Sequence, residues 1–169
     1  YYLFASASDC CNGPLTGYQV FVGRSTSPFG PFVDREGVSL LDARVGGSPV
    51  LTLSGNRWVG GGHNSVFLDA AGNWYTAYHA IDRGDPYFKG AVGYTRRPML
   101  LDRITWTGGW PSVRNGLGAS NTKQLAPAAT PPRDPRAAAA ARLGVDTLAD
   151  IVDPNGYLLR LDRVDVKKL

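Results

Sequence analysis

One stretch limits the choice of fold more than any other: residues 57–79, R-W-V-G-G-G-H-N-S-V-F-L-D-A-A-G-N-W-Y-T-A-Y-H. Two runs rich in valine, phenylalanine, tyrosine and tryptophan flank the short polar turn Asp69-Ala-Ala-Gly-Asn73, which reads as a β-hairpin. The triple glycine Gly60-Gly61-Gly62 delivers His63 to the first of these runs. Glycine lets a backbone pack close to another chain or a ligand, so His63 is placed rather than scattered. Both histidines of the chain, His63 and His79, fall in this hairpin.

The sequence up to residue 137 has the same character. Helix-favouring runs are absent, and the 21 glycines and 12 prolines punctuate short bursts of valine, tyrosine, tryptophan and threonine. That composition predicts an all-β fold. Strands are expected at residues 1–7, 18–25, 30–33, 38–41 and 49–53, then in the hairpin, then at 91–97 and 99–106, before Gly108-Gly-Trp-Pro111. A chain of 169 residues has enough apolar content to bury a core.

Charge and cysteine usage narrow the partners. Residues 1–118 carry 10 Lys and Arg against 8 Asp and Glu, and residues 119–169 carry 8 against 6. No basic patch forms, which argues against a nucleic-acid partner. Apolar runs are too short to span a bilayer, and no signal peptide is present. The opening Tyr1-Tyr-Leu-Phe4 reads as the middle of a core strand, so the expectation is a chain truncated at its N-terminus. Cys10 and Cys11 are adjacent, which excludes a conventional disulfide framework. Two buried thiols are expected, with a strained vicinal bridge as the alternative.

The order of parts repeats. Tyr1-Tyr-Leu-Phe-Ala-Ser-Ala7 followed by Val20-Phe-Val-Gly-Arg-Ser25 is echoed by Trp74-Tyr-Thr-Ala-Tyr-His-Ala80 followed by Ala91-Val-Gly-Tyr-Thr-Arg96, about 72 residues later. That period suits propeller blades of four strands with long loops. Two blades cannot close a propeller, which again implies missing chain.

These residues carry a resemblance. Tyr1-Tyr-Leu-Phe-Ala-Ser6, Cys10-Cys-Asn-Gly13, Val22-Gly-Arg-Ser25, Gly30-Pro-Phe-Val-Asp34, Gly61-Gly-His-Asn-Ser-Val66, Tyr78-His-Ala80 and Trp106 with Gly109-Trp-Pro111 occur in the order and spacing of family 43 glycoside hydrolases. The likeness covers about residues 1–116, and its one departure is Gly61, where the family more often has proline. It implies about two blades of a five-bladed β-propeller from an enzyme acting on arabinose- or xylose-containing plant polysaccharide. Such enzymes invert, with one carboxylic acid protonating the leaving oxygen and one carboxylate activating water. A third carboxylate tunes the acid.

The resemblance also implies site residues. In the family all three carboxylates lie on earlier blades, so the catalytic set is expected upstream of Tyr1, and the only glutamate here, Glu36, sits in a polar turn. The histidine matching His63 points to the propeller axis in arabinanase-type members, where it meets a calcium or sodium ion largely through water. A histidine hydrogen-bonded in a packed channel is the alternative. Arg97 matches an arginine that reaches into the substrate pocket of xylosidase-type members, where a guanidinium fork bonds sugar hydroxyls or holds a carboxylate. Arg96 competes for that assignment, and a solvated surface arginine is the third reading. His79 is expected to be a core histidine, and Trp58 and Trp74 mostly blade packing.

The expected organisation is therefore a propeller portion over 1–118, a Pro/Ala-rich linker over 119–142 with a helix near 136–143, and a tail or appended module over 143–169. In that tail Asp153-Pro-Asn-Gly156 signals a hairpin turn. The parent is expected to be secreted, with a polysaccharide or oligosaccharide as its partner. A non-catalytic sugar-binding β module that keeps the scaffold without acid and base is the other reading.

Overall fold

The computed structural model describes residues 1–10, 12–53, 57–91 and 93–130, together with the backbone of 151–152 and 158–159. Its strands in chain order are β1 (Tyr2–Ala7), β2 (Gln19–Arg24), β3 (Ser48–Leu51), β4 (Trp58–Leu68), β5 (Trp74–Asp82), β6 (Met99–Thr107) and β7 (Trp110–Val113), then β8 (Ile151–Val152) and β9 (Leu158–Leu159). The first seven form two antiparallel meanders, β1-β2-β3 and β4-β5-β6-β7, each in sequence order. β8 and β9 pair antiparallel on either side of the Asp153 turn signal. The turn itself and the helix expected at 136–143 lie outside the described residues. No helix among the described residues is long and apolar enough to cross a membrane.

Three expectations need correction. Residues 30–33 and 38–41 are not strands: Val33 makes only isolated bridges, to Arg24 and Ser39. Pro31 has no N–H for a ladder, and the Asp34 carboxylate accepts the Glu36 and Val38 amides, so a local turn outcompetes pairing. Residues 91–97 are not a strand either. Gly90 and Gly93 take positive φ, and backbone bonds within 86–96 close a compact loop instead. Conversely, Trp110–Val113 is a strand although it contains Pro111. It is the edge of its sheet, where a missing N–H costs no ladder bond.

One apolar core joins the two sheets. Val20 and Val22 of β2 and Val50 and Leu51 of β3 pack with Trp58 of β4, Tyr78 and Ala80 of β5, and Trp110 and Val113 of β7. Full burial of a side chain of this size contributes about 1.5–3 kcal/mol. Tyr2 extends the seam, donating its hydroxyl to the Gly109 carbonyl (2.7 Å) and meeting the Trp106 ring edge-on. Trp58 and Trp74 are packed as expected, Trp58 in the core and Trp74 edge-on to Trp106.

Candidate functional site

The glycines of β4 pack tightly against the loop that precedes β2. A Cβ on Gly60 would lie 2.5 Å from Thr16 Cγ2, and one on Gly62 2.3 Å from Tyr18 Cε1. No side chain fits there. Gly61 faces Leu51, with a hypothetical Cβ at 3.0 Å, which accommodates the departure from proline. The β4–β5 register slips twice, between Val59 and Gly62 and between Gly62 and Ser65. Bulges of this kind re-aim side chains, and the second encloses His63 and Asn64. Its φ is +53°, its amide donates to Ser6 Oγ of β1 (2.9 Å), and its side chain is exposed.

His63 has a neighbour of its own kind. The His79 ring lies edge-on at 6.1 Å between centroids, and its Nδ1 is 2.9 Å from the Arg97 carbonyl. His79 is hydrogen-bonded as expected of a satisfied histidine, but it is half-buried rather than in the core. The Arg97 guanidinium donates to the carbonyls of Cys10 and Gly60, both at 3.1 Å, and lies 5.4 Å above the Tyr18 ring. Burial lowers its pKa and Tyr18 opposes the change, but an arginine remains charged. Two of its five N–H donors are engaged in these bonds, so the fork has capacity for a ligand. Arg96 turns away to a surface ion pair with Asp85.

The loop that Arg97 grips went unread in the sequence. Asp9 accepts from Asn12 through its carboxylate and from the Thr16 hydroxyl through its carbonyl, and Thr16 Oγ1 in turn accepts the Tyr18 amide. Cys10 is disulfide-bonded and half-buried, which corrects the expectation of two buried thiols. The residue sits in a laced loop at the end of the sheet rather than in a core, so nothing shelters a free thiol. Its cysteine neighbour, Cys11, lies outside the described residues.

Asp69, Asp82 and Asp102 are occupied as structural acceptors. Asp82 takes Arg57 Nε (2.9 Å) and the Gly84 amide, and these outweigh its burial to lower its pKa. Burial also opposes the charge on Asp69, but donation from Ala128, Asn73 and Ala71 holds that carboxyl at about 2. Asp102, fully buried, accepts from the Tyr78 hydroxyl (2.6 Å) and the Ser120 amide (3.0 Å). Glu36 is exposed. Among the described residues no group of three His, Cys, Asp or Glu forms a cation site. Calcium takes six to eight oxygens, so these residues do not make up its ligand set, and His63 offers a single outward imidazole.

Two antiparallel meanders in sequence order, packed over one core with a glycine-lined strand at the seam, define an arc of a β-propeller, about two blades of it. The model of the glycosyl hydrolases family 43 matches residues 1–111, and the chain belongs to that family. It is 36% identical over 114 residues to an extracellular exo-α-(1→5)-L-arabinofuranosidase, ArbA, of Cellvibrio japonicus, a match covering 67% of this chain and 29% of the relative. It is 33% identical over 114 residues to extracellular endo-α-(1→5)-L-arabinanase 1 of Bacillus subtilis, covering 66% and 30%. Among solved structures, an α-L-arabinanase of Cellvibrio cellulosa complexed with arabinohexaose superposes with a TM-score of 0.56 at 34% identity, over 69% of this chain and 34% of that one. The chain therefore spans about a third of the length of the relatives it matches.

Proposed function

We propose that this chain is part of a secreted glycosidase that hydrolyses α-(1→5)-linked arabinan with inversion. The observation that carries this reading is the likeness to arabinan-cleaving relatives across the strands that bear the His63–Arg97 cluster. The named extracellular location of those relatives supports secretion. Inversion needs two carboxyl groups roughly 6.5–9.5 Å apart across the sugar. The aspartates of the cluster's surroundings are engaged as turn acceptors and ion-pair partners, so the acid and the base come from other blades. The chain by itself is inactive in this reading.

Within it, Arg97 contributes to the substrate pocket with the donors it does not use on Cys10 and Gly60. His63 faces the propeller axis, where a calcium or sodium ion held by oxygens from other blades meets it through water. The experiment is proton NMR of the products that the intact protein releases from debranched arabinan, with the isolated chain as a control. Formation of the inverted anomer by the intact protein alone is the expected result; turnover by the isolated chain overturns the assignment of the carboxylates. In parallel, His63→Ala is expected to lower the melting temperature in calcium and to abolish the response to chelator. Equal melting of parent and variant with and without chelator removes the ion.

The engagement of the aspartates also favours a second reading, a sugar-binding module without chemistry. Retention on arabinan with no product from the intact protein would select it.

A further inference from the structure

Residues 83–98 connect β5 to β6 and form a stitched frame. Phe88 N donates to Tyr94 O (3.1 Å), Ala91 N to Phe88 O (3.3 Å), Tyr94 N to Ala91 O (3.2 Å) and Arg96 N to Pro86 O (2.7 Å). Tyr87 and Thr95 form a bridge, and the Arg96–Asp85 ion pair closes the base. The frame holds three aromatic rings in water: Tyr87, Phe88 and Tyr94 are 43%, 55% and 72% exposed. An aromatic ring left in solvent forgoes a large burial free energy, so folding alone does not account for this display.

Tyr87 and Phe88 line an open hollow of about 390 Å³ together with Gly90, Ala91 and Gly93. A Cβ on Gly90 or Gly93 would meet nothing within 4 Å, so bare backbone faces the space beside the rings. The lining carries no charge. Arg96 is paired with Asp85, Arg97 spends two of its donors on carbonyls, and Lys89 is exposed beside Phe88. A ring with C–H groups on one face and hydroxyls at its rim matches the aromatic walls and the bare backbone between them. The hollow also borders the candidate site. A Cβ on Gly13 would lie 3.0 Å from the Tyr87 hydroxyl, and Gly13 belongs to the loop whose Cys10 carbonyl Arg97 grips.

We propose that this hollow is a remote sugar-binding subsite, taking pentose rings of an arabinan chain at a distance from the linkage that is cut. The proposal rests on the arabinan reading above, since a polymer is what reaches beyond one site. Phe88 and Tyr94 serve the frame through backbone atoms, so their side chains can be removed without breaking it.

The test uses the intact protein with Phe88→Ala, Tyr94→Ala, the pair, and Tyr94→Trp. Retardation in native gels containing debranched arabinan is read beside KM on that polymer and on a single-residue aryl arabinofuranoside. The pair is expected to weaken retention about tenfold, to raise the polymer KM more than the small substrate's, and to leave melting unchanged, with Tyr94→Trp keeping retention. Unchanged retention and polymer KM in the pair overturn the subsite. So does a drop of several degrees in melting with equal losses on both substrates, which would mean that the rings pack on the protein's own chain. Loss of a concentration-dependent dimer in the variants would overturn it as well, in favour of a second copy as the occupant. Retention reads the subsite even where no hydrolysis is found, so failure of the proposed activity and failure of the subsite are separable.

Discussion

The four-stranded sheet is strapped by a distant segment. Ser120 donates to Asp102 on β6, Ala128 donates to Asp69 in the β4–β5 turn, and the Tyr75 hydroxyl on β5 donates to the Leu125 carbonyl (3.3 Å). The three-stranded sheet is tied instead to the loop between its own β2 and β3, where Val33 exchanges backbone bonds with Arg24 and the Arg35 amide donates to Ser48 Oγ (2.8 Å). It meets the rest of the molecule through the apolar seam, through Tyr2 on Gly109, through Ser6 Oγ accepting the His63 amide, and through Arg24 and Arg35 over the Trp110 ring at 5.0 and 5.9 Å. The four-stranded sheet is thus pinned by part-buried ties to a segment beyond its last strand, while the three-stranded sheet is tied within itself and rests on its neighbour's surface. Damage to the seam is expected to free β1–β3 before β4–β7, and damage to the strap to loosen only β4–β7.

The largest effect follows from removing the seam's aromatic anchor. Trp110→Ala in the intact protein is expected to cost about 3–5 kcal/mol, read from a denaturant midpoint, with amide exchange in β1–β3 rising ahead of exchange in β5 and β6. Equal acceleration in both sheets would break the contrast.

A smaller loss is expected at Asp102, the carboxylate that anchors the strap through Ser120. Tyr78→Phe deletes the donor to a buried carboxylate, a change worth roughly 1.5–3 kcal/mol. Burial and the adjacent Asp102 raise the Tyr78 hydroxyl's pKa, so it is a donor at every accessible pH. Exchange is expected to rise in β5, β6 and residues 118–120 while β1–β3 stay protected; an unchanged midpoint would show that the tie carries nothing.

The smallest effect is a dependence on acid. The Asp69 carboxyl is held at about 2 in the fold, below its unfolded value of about 3.9. A depressed folded pKa means that its contribution is complete above pH ~4 and is lost as pH falls toward 2. Asp69→Asn is expected to flatten the decline of melting temperature across that window. Parallel curves for parent and variant would mean that the turn and its tie to Ala128 do not titrate.

What the sequence disclosed divides along a physical line. β1, β2, the β4–β5 hairpin and β6 were readable because clustered β-branched and aromatic residues mark strands locally. β7 was not, because Pro111 is tolerated only at a sheet edge and the edge is a property of the whole sheet. The strand expected at 91–97 failed for the opposite reason: its residues suit a strand, and two glycines at positive φ turn them back. The internal repeat held for β1 and β5, while the second partner is β6 rather than 91–96, displaced by the aromatic loop. At the site, His63 was visible through its glycines. The grip of Arg97 on Cys10 spans 87 residues and has no local signature.

The left-handed backbone at His63 has a consequence for how that position can change. A side chain with a Cβ pays roughly 1–2 kcal/mol to stand there, and glycine, asparagine or aspartate would stand there more cheaply. Random substitution is thus drawn toward residues that relax the chain and discard the imidazole, so firmness of the fold and retention of this nitrogen pull in opposite directions at a single residue. At His63 the ease of the backbone and the presence of an imidazole are therefore set against each other in one position.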